Sequence, residues 1–278
     1  MAESKDLQFL LEPERIPMDL GLKDRVILIT GGGSGIGEAI TRACLAEGAK
    51  VVIATLRTPT LQPLLDELTS SHLPVDLFEA DLSNPERCRA AIDFVEHKHG
   101  RLDGLVNNAG LNDGIGLESG SPDRFLASLR DHLVHYYSMA HYALPLLKAS
   151  RGSIVNISSK VAITGQTNTS AYAACKAAQL GLTREWAAEL LPFGIRVNAV
   201  IPAEVKTPAY AAWISNRPDP AAALAAIEQH IPLGHRMTTP AEIAATVAFL
   251  LSPTQSSHTT AQLLHVDGGY VHLDRALA

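Results

Sequence analysis

Three residue types stand at spacings that suit proton transfer. The run Ser153 to Ser159 ends an apolar strand pattern with two hydroxyls, Tyr172 follows Ser159 by thirteen positions, and Lys176 follows Tyr172 by four. On a helix, positions four apart share a face, so the Lys176 ammonium can lie beside the Tyr172 phenol. A free phenol ionises near pH ~10, and holding it as phenolate near pH ~7 takes roughly 4 kcal/mol of preference for the charged form. A neighbouring ammonium supplies part of that. Tyr-x-x-x-Lys alone is common by chance, so the reading depends on what else the chain places nearby.

Upstream, Thr30-Gly31-Gly32-Gly33-Ser34-Gly35-Ile36-Gly37 leads from a β-branched run straight into the helical pattern Glu38 to Glu47. Glycine permits a tight turn and a close approach of backbone to a pyrophosphate, whose charge then sits at the helix N-terminus. Gly31, Ser34, Gly35, Ile36 and Gly37 are therefore candidate contacts to a dinucleotide, and its oxidised nicotinamide would be the second cation beside Tyr172. The next strand ends in Thr55-Leu56-Arg57, with no carboxylate to hold a ribose 2′-hydroxyl. Without that repulsion, and with Arg57 able to pair a phosphate, NADP is favoured over NAD. Arg57 as a plain solvated charge is the competing reading. Asp81-Leu82 suits the adenine edge, and Asn108-Ala109-Gly110 suits backbone packed on a cofactor, while Asn107 has a second reading as a tie between strands.

These residues need a frame that brings distant segments to one edge. Val26 to Thr30, Val51 to Ala54, Val75 to Glu79, Leu105 to Asn107, Ile154 to Ile157, Ile195 to Ile201 and Leu263 to Val266 each read as a strand, several of them apolar on consecutive positions. That suits strands covered on both faces. Longer helical patterns separate them, and Asn84-Pro85, Ser121-Pro122 and Thr239-Pro240 each mark a helix start by a capping residue before proline, with Glu242 completing a capping box. Alternating strands and helices predict an α/β fold, one doubly wound parallel sheet of seven strands with helices on both faces. The motifs span the chain, so residues 20–278 are expected to form a single Rossmann-like domain, with 1–19 as an N-terminal arm. From 202 to about 233 no strand signal occurs, only Pro208, Trp213, Pro218 and Pro220 and then an alanine-rich helix, which is where a lid over the sheet's carboxyl edge would fall.

Composition narrows the class. The chain of 278 residues carries 29 acidic and 23 basic side chains for a net charge of −6, with 46% hydrophobic and 19% charged residues. That excludes a disordered chain and offers no electrostatic invitation to nucleic acid. The three cysteines are scattered, no run of 18 apolar residues occurs, and no apolar leader is visible, so a cytoplasmic protein without membrane segments is expected. Eleven histidines raise a metal question, but no H-E-x-x-H occurs, and His97/His99 and His132/His135 read as readily as helix-surface residues; no metal is expected.

Taken together, TGGGSGIG, NNAG, the serine of NISS, YAACK and the closing VDGGY resemble the short-chain dehydrogenase/reductase family over residues ~20 to 278. The resemblance implies nicotinamide bound at the strands' carboxyl ends, Tyr172 as acid/base, Ser159 orienting the reacting oxygen, and Lys176 binding the nicotinamide ribose while lowering the tyrosine pKa. Carried over residue by residue, cofactor contacts also fall on Pro202, Val205 and Thr207. It further implies a homotetramer of two-fold dimers built from helices over Ser121 to Leu147 and Ser170 to Leu191. Two positions depart from the family. Its asparagine after NNAG aligns with His132, which would relay protons itself or simply fill space, and its Pro-Gly is here Pro202-Ala203-Glu204, placing a carboxylate near the nicotinamide end.

A finer likeness, carried by NISSK, GLTREWA, NAVIPAEVKTP and VDGGYVHLDRAL, is to the L-fucose dehydrogenase branch, implying oxidation of a 6-deoxy or related aldose at its anomeric carbon. It makes sense of polar residues that a hydrophobic substrate would not need: Asn112 and Asp113, Lys160, Gln166 and Glu204, with Trp213 able to stack on a sugar face. The alternatives are a carbonyl reductase acting on a steroid, acyl or other ketone, and a nucleotide-binding sensor or scaffold without turnover.

Overall fold

Seven short strands pair in parallel in the computed structural model, which describes residues 18–273. They are β1 (Val26–Thr30), β2 (Lys50–Thr55), β3 (Val75–Glu79), β4 (Gly104–Asn107), β5 (Ser153–Ile157), β6 (Arg196–Pro202) and β7 (Leu263–Val266), in the spatial order β3-β2-β1-β4-β5-β6-β7. The arm expected over 1–19 lies outside the described residues except for its last two. Along β1 the side chains alternate between two cores. Val26 and Leu28 join one, with α3 (Pro85–His99), α5 (His135–Ser150) and α6 (Ser170–Leu190). Ile27 and Ile29 join the other, with α1 (Gly35–Ala46), α2 (Leu61–Ser70) and α9 (Pro240–Leu251). Consecutive apolar residues are thus required by two covered faces, as the uninterrupted runs imply.

The winding reverses between β1 and β4: β2 and β3 lie to one side, β4 to β7 to the other. In such a sheet the loops leaving the two strands at the reversal diverge and open a crevice at their carboxyl ends. Those loops are Gly31–Ser34 and Asn108–Gly110, the two glycine-bearing motifs.

Each expected cap is made. Asn84 Oδ1 accepts from the Glu86 amide at 2.9 Å, Ser121 Oγ from the Arg124 amide at 3.2 Å, and Thr239 and Glu242 bond reciprocally. The same signature at Thr207-Pro208 and Asp219-Pro220 starts two more helices, α7 (Pro208–Ser215) and α8 (Pro220–Gln229). The segment 202–233 therefore holds two short helices where the prolines suggested an irregular run before one. The helix expected from Ser121 to Leu147 is also interrupted. Past α4 (Pro122–Leu129) the chain makes a π-turn over Arg130–Val134 before α5, accommodating an extra residue around His132. No helix among the described residues is long and apolar enough to cross a membrane.

Candidate active site

Ser159, Tyr172 and Lys176 meet where β5 ends against the first turns of α6. Ser158 ties the two segments, its hydroxyl donating to the Lys176 carbonyl at 2.8 Å. Ser159, in extended backbone, accepts from the Val161 amide and hydrogen-bonds Tyr172. The Lys176 ammonium lies 5.4 Å from the Tyr172 ring centre and is almost fully buried, donating to the Ile157 carbonyl at 2.8 Å and to Tyr136 Oη at 3.4 Å. Tyr136 Oη itself donates to the Ile157 carbonyl at 3.0 Å. Burial pushes the lysine pKa down to about 7 and the Tyr172 phenol up to about 12, with the Ser159 hydrogen bond opposing the latter. The chain alone therefore holds Tyr172 as a neutral phenol, and the preference for phenolate near pH 7 needs a further cation at the site.

Two histidines flank this set, and neither is the helix-surface residue that the spacing allowed. His135 is buried; its Nε2 donates to the Ala109 carbonyl at 3.1 Å, and burial lowers its pKa to about 4. His132 packs edge-on to Tyr172, ring centres 6.3 Å apart, with Nε2 at 3.5 Å from Asp113 Oδ2. Its carbonyl accepts from Gln179 Nε2 at 3.0 Å. Tyr136 and Gln179 carry no sequence signal of their own, and the sequence offers His135 only as a metal or helix-surface candidate. They become visible only once α5 and α6 are packed together.

The glycine loop fits a dinucleotide. Gly31 and Gly35 have φ of +65° and +55°, and a Cβ on Gly37 would lie 2.1 Å from the Gly31 carbonyl oxygen, so α1 reaches the β1 turn closer than any side chain allows. Ser34 precedes α1 without its side chain capping the helix, so the first-turn amides have no side-chain partner. Thr30 Oγ1 accepts from the amides of Asn108 and Ala109 at 2.8 and 3.0 Å, and Asn108 Nδ2 reaches the Thr30 and Gly31 carbonyls, which locks the two crevice loops together. Asn107 does serve as a tie: it donates to Asn156 Oδ1 at 3.0 Å, and Asn156 donates to Thr183. Leu82 is buried and Asp81 exposed, Asp81 accepting from the Ser83 amide. Pro202 ends β6 and Val205 follows three residues later, both buried, and Val205 bridges to Thr238. Thr207 caps α7 and lies in contact range of Gly35, joining the segment 202–233 to the glycine loop.

At the ribose end a carboxylate is present after all, from the neighbouring strand. Thr55 is in register with Glu79, and Arg57 Nε donates to Glu79 Oε2 at 2.9 Å.

Lys160 and Glu204 pair with each other, both largely buried. The Lys160 ammonium also sits 4.2 Å from the centre of the Tyr270 ring, and Tyr210 hydrogen-bonds Glu204. Tyr210 in turn packs against Trp213, whose ring is covered by Arg217 at 4.0 Å. The segments that follow β5, β6 and β7 thus converge in one polar and aromatic cluster. Asn112 and Gln166 are exposed, and Asn112 is spent on a turn, accepting from the Gly114 amide. Trp213 is about half exposed.

A dinucleotide-type cradle at the reversal of a seven-stranded parallel sheet, facing a Ser-Tyr-Lys set, defines an oxidoreductase. A family model described as enoyl-(acyl carrier protein) reductase matches residues 31–271, and the chain belongs to the short-chain dehydrogenase/reductase family, whose members bind NAD(P). The 3-oxoacyl-[acyl-carrier-protein] reductase FabG of Thermotoga maritima is 36% identical over 251 residues, 90% of this chain and 99% of that one. The L-fucose dehydrogenase of Oryctolagus cuniculus is 36% identical over 246 residues, 88% of this chain and 84% of that one. Among solved structures, Cj0485 dehydrogenase superposes with a TM-score of 0.88 at 47% identity, covering 93% of this chain and 98% of that one.

Proposed function

We propose that this chain oxidises the anomeric hydroxyl of an L-fucose-like aldose to its lactone with NAD(P). The observation that carries this reading is the buried Lys160–Glu204 pair with Tyr210 and Tyr270, because hydroxyl-rich ligands need donors and acceptors at the floor of the site and apolar ones are penalised by them. The similarity to an L-fucose dehydrogenase supports it; the equal similarity to FabG supports the rival, reduction of an acyl ketone. In the proposed reaction Ser159 holds the C1 oxygen and Tyr172 takes its proton, while Lys176, gripped by Ile157 and Tyr136, fixes the ribose and adds positive charge. The oxidised nicotinamide supplies the two-electron acceptor. Gly31, Ser34, Gly35, Ile36 and Gly37 would hold its pyrophosphate, and Asp81, Leu82, Asn108, Ala109, Gly110, Pro202, Val205 and Thr207 would line the rest of its bed. Residues 202–233 act as the lid, and Trp213, Gln166 and Asn112 form the outer wall met by substrate on closure.

A panel of aldoses with NAD⁺ and NADP⁺, followed at 340 nm, tests the reading. Reduced cofactor should appear with L-fucose or a configurational relative such as L-galactose or D-arabinose. No signal with any aldose, together with consumption of NADPH by ketones or acyl thioesters, overturns it in favour of the reductase.

NADP is the favoured cofactor, through Arg57 on the 2′-phosphate, but Arg57 must leave Glu79 to reach it. The preference is therefore expected to be shallow. Arg57→Ala should lower kcat/KM for NADP⁺ by about tenfold, the worth of one charge-assisted hydrogen bond, while Glu79→Gln should raise it. An unchanged NADP⁺/NAD⁺ ratio in both variants removes Arg57 from the cofactor site.

A further inference from the structure

Each aldose oxidation leaves one proton on Tyr172, which must lose it before the next turnover. Lys176 offers no open way out: it is 3% exposed, and its ammonium is engaged by Ile157 and Tyr136. The other side of the tyrosine is different. His132 presents its ring edge-on to Tyr172, and its Nδ1 is buried with no protein partner. Its Nε2 faces Asp113, a carboxylate whose side chain is 21% exposed and whose Oδ1 is fixed by the Ile115 amide. The carboxylate assigns the proton of the neutral ring to Nε2, leaving Nδ1 as a bare acceptor. The π-turn around His132 and the Gln179 bond to its carbonyl set this ring against α6.

We propose that His132, oriented by Asp113, is the proton outlet of Tyr172. This rests on the sugar-oxidising reading above. The Tyr172 proton passes to His132 Nδ1, the imidazolium is held by the Asp113 carboxylate, and the Nε2 proton is then released past Asp113 to solvent. No electrons move in this step, and one proton enters and one leaves per turnover. The charged and titratable groups around His132 are Asp113 on the loop after β4, Asp131 and His135 on its own helical segment, and Tyr172 and Lys176 on α6. Burial lowers the His132 pKa below 6.5, Lys176 lowers it further, and Asp113 and Asp131 oppose this, so the ring is a neutral acceptor at pH 7.

The test compares wild type with His132→Ala and Asp113→Asn in the oxidation direction, with cofactor binding by fluorescence and thermal unfolding as fold controls. His132→Ala should lower kcat roughly tenfold to a hundredfold with KM for the aldose little changed, lose the acid limb of the kcat–pH profile, and recover with added imidazole in proportion to its concentration. Asp113→Asn, which sits on a loop and does not empty a packed site, should move the acid limb to lower pH, because the carboxylate that raises the His132 pKa is gone. Unchanged profiles in both variants and no imidazole rescue overturn the outlet while leaving the sugar reading intact. Absence of aldose oxidation by the wild type overturns the sugar reading instead; the same variants, assayed in ketone reduction, must then show the imidazole effect for the outlet to stand, since protons would run through it in reverse.

Discussion

Tyr172→Phe is expected to lower kcat by at least ~10³, the range of a lost general base, while leaving NAD(P)H binding and the melting temperature close to wild type. The phenol meets Ser159 on one side and the Lys176 ammonium on the other, and removing one oxygen empties neither core. Fluorescence titration with reduced cofactor and initial rates at 340 nm separate the two effects. Retained turnover would show that another group takes the proton. Weakened cofactor binding would show that the phenol is chiefly part of the ribose grip. Because burial, against the opposing Ser159 hydrogen bond, holds this phenol at about 12, the pH dependence of oxidation should report a lower apparent value when cofactor is bound than spectrophotometric titration gives for the protein alone.

The second large effect lies at Gly37. Alanine is ordinarily the better helix former by about 1 kcal/mol, so Gly37→Ala in the first turn of α1 would stabilise a free helix. Here the added Cβ would stand 2.1 Å from the Gly31 carbonyl oxygen and 2.6 Å from Asn108 Nδ2, so backbone must move. A net loss of about 3 kcal/mol is expected, a fall of roughly 6–12 °C in Tm for a chain of this size, with cofactor affinity lost first because the clash lies in the turn that would hold the pyrophosphate. Gly181→Ala is the matched control: it is also helical, its Cβ would meet nothing within 4 Å, and it should leave Tm unchanged or slightly raised. Equal behaviour of the two variants would refute the close approach of α1 to the β1 turn.

The contrast between these residues shows what a single sequence can and cannot disclose. Gly31, Gly35 and Gly37, and Ser159, Tyr172 and Lys176, act through backbone conformation or helical spacing, both of which are written in adjacent positions. The parallel sheet was legible for a similar reason, since several strands are apolar on consecutive positions and Asn84-Pro85, Ser121-Pro122 and Thr239-Pro240 each mark a helix start, whereas the order of the strands comes only from their pairing. Thr207-Pro208 and Asp219-Pro220 carry that cap signal as plainly as Asn84-Pro85, but the other prolines around them suggest irregular chain. Glu79 and Arg57 are another matter. The end of the second strand lacks a carboxylate, and only the register of β2 against β3 puts one beside Arg57. Lys160 and Glu204 each looked like a free polar group available to substrate, and pairing them requires knowing that the loops after β5 and β6 meet. The burial of His135 and Tyr136 is hidden in a similar way: one turn of π-helix separates them from α4, and no periodicity announces it.

That pairing of Lys160 with Glu204 has a bearing on what the enzyme will refuse. A cation and an anion held against each other cancel, so the substrate end of the crevice presents oriented dipoles and almost no field of its own. On the proposed reading, sugar phosphates and sugar acids would find no free counter-charge in the Lys160–Glu204 pair and would lose hydration against it without compensation. Such a chamber, on the proposed sugar-oxidising reading, would sort by hydroxyl geometry and reject by charge, and so act on free sugars in the presence of a large excess of their phosphorylated forms.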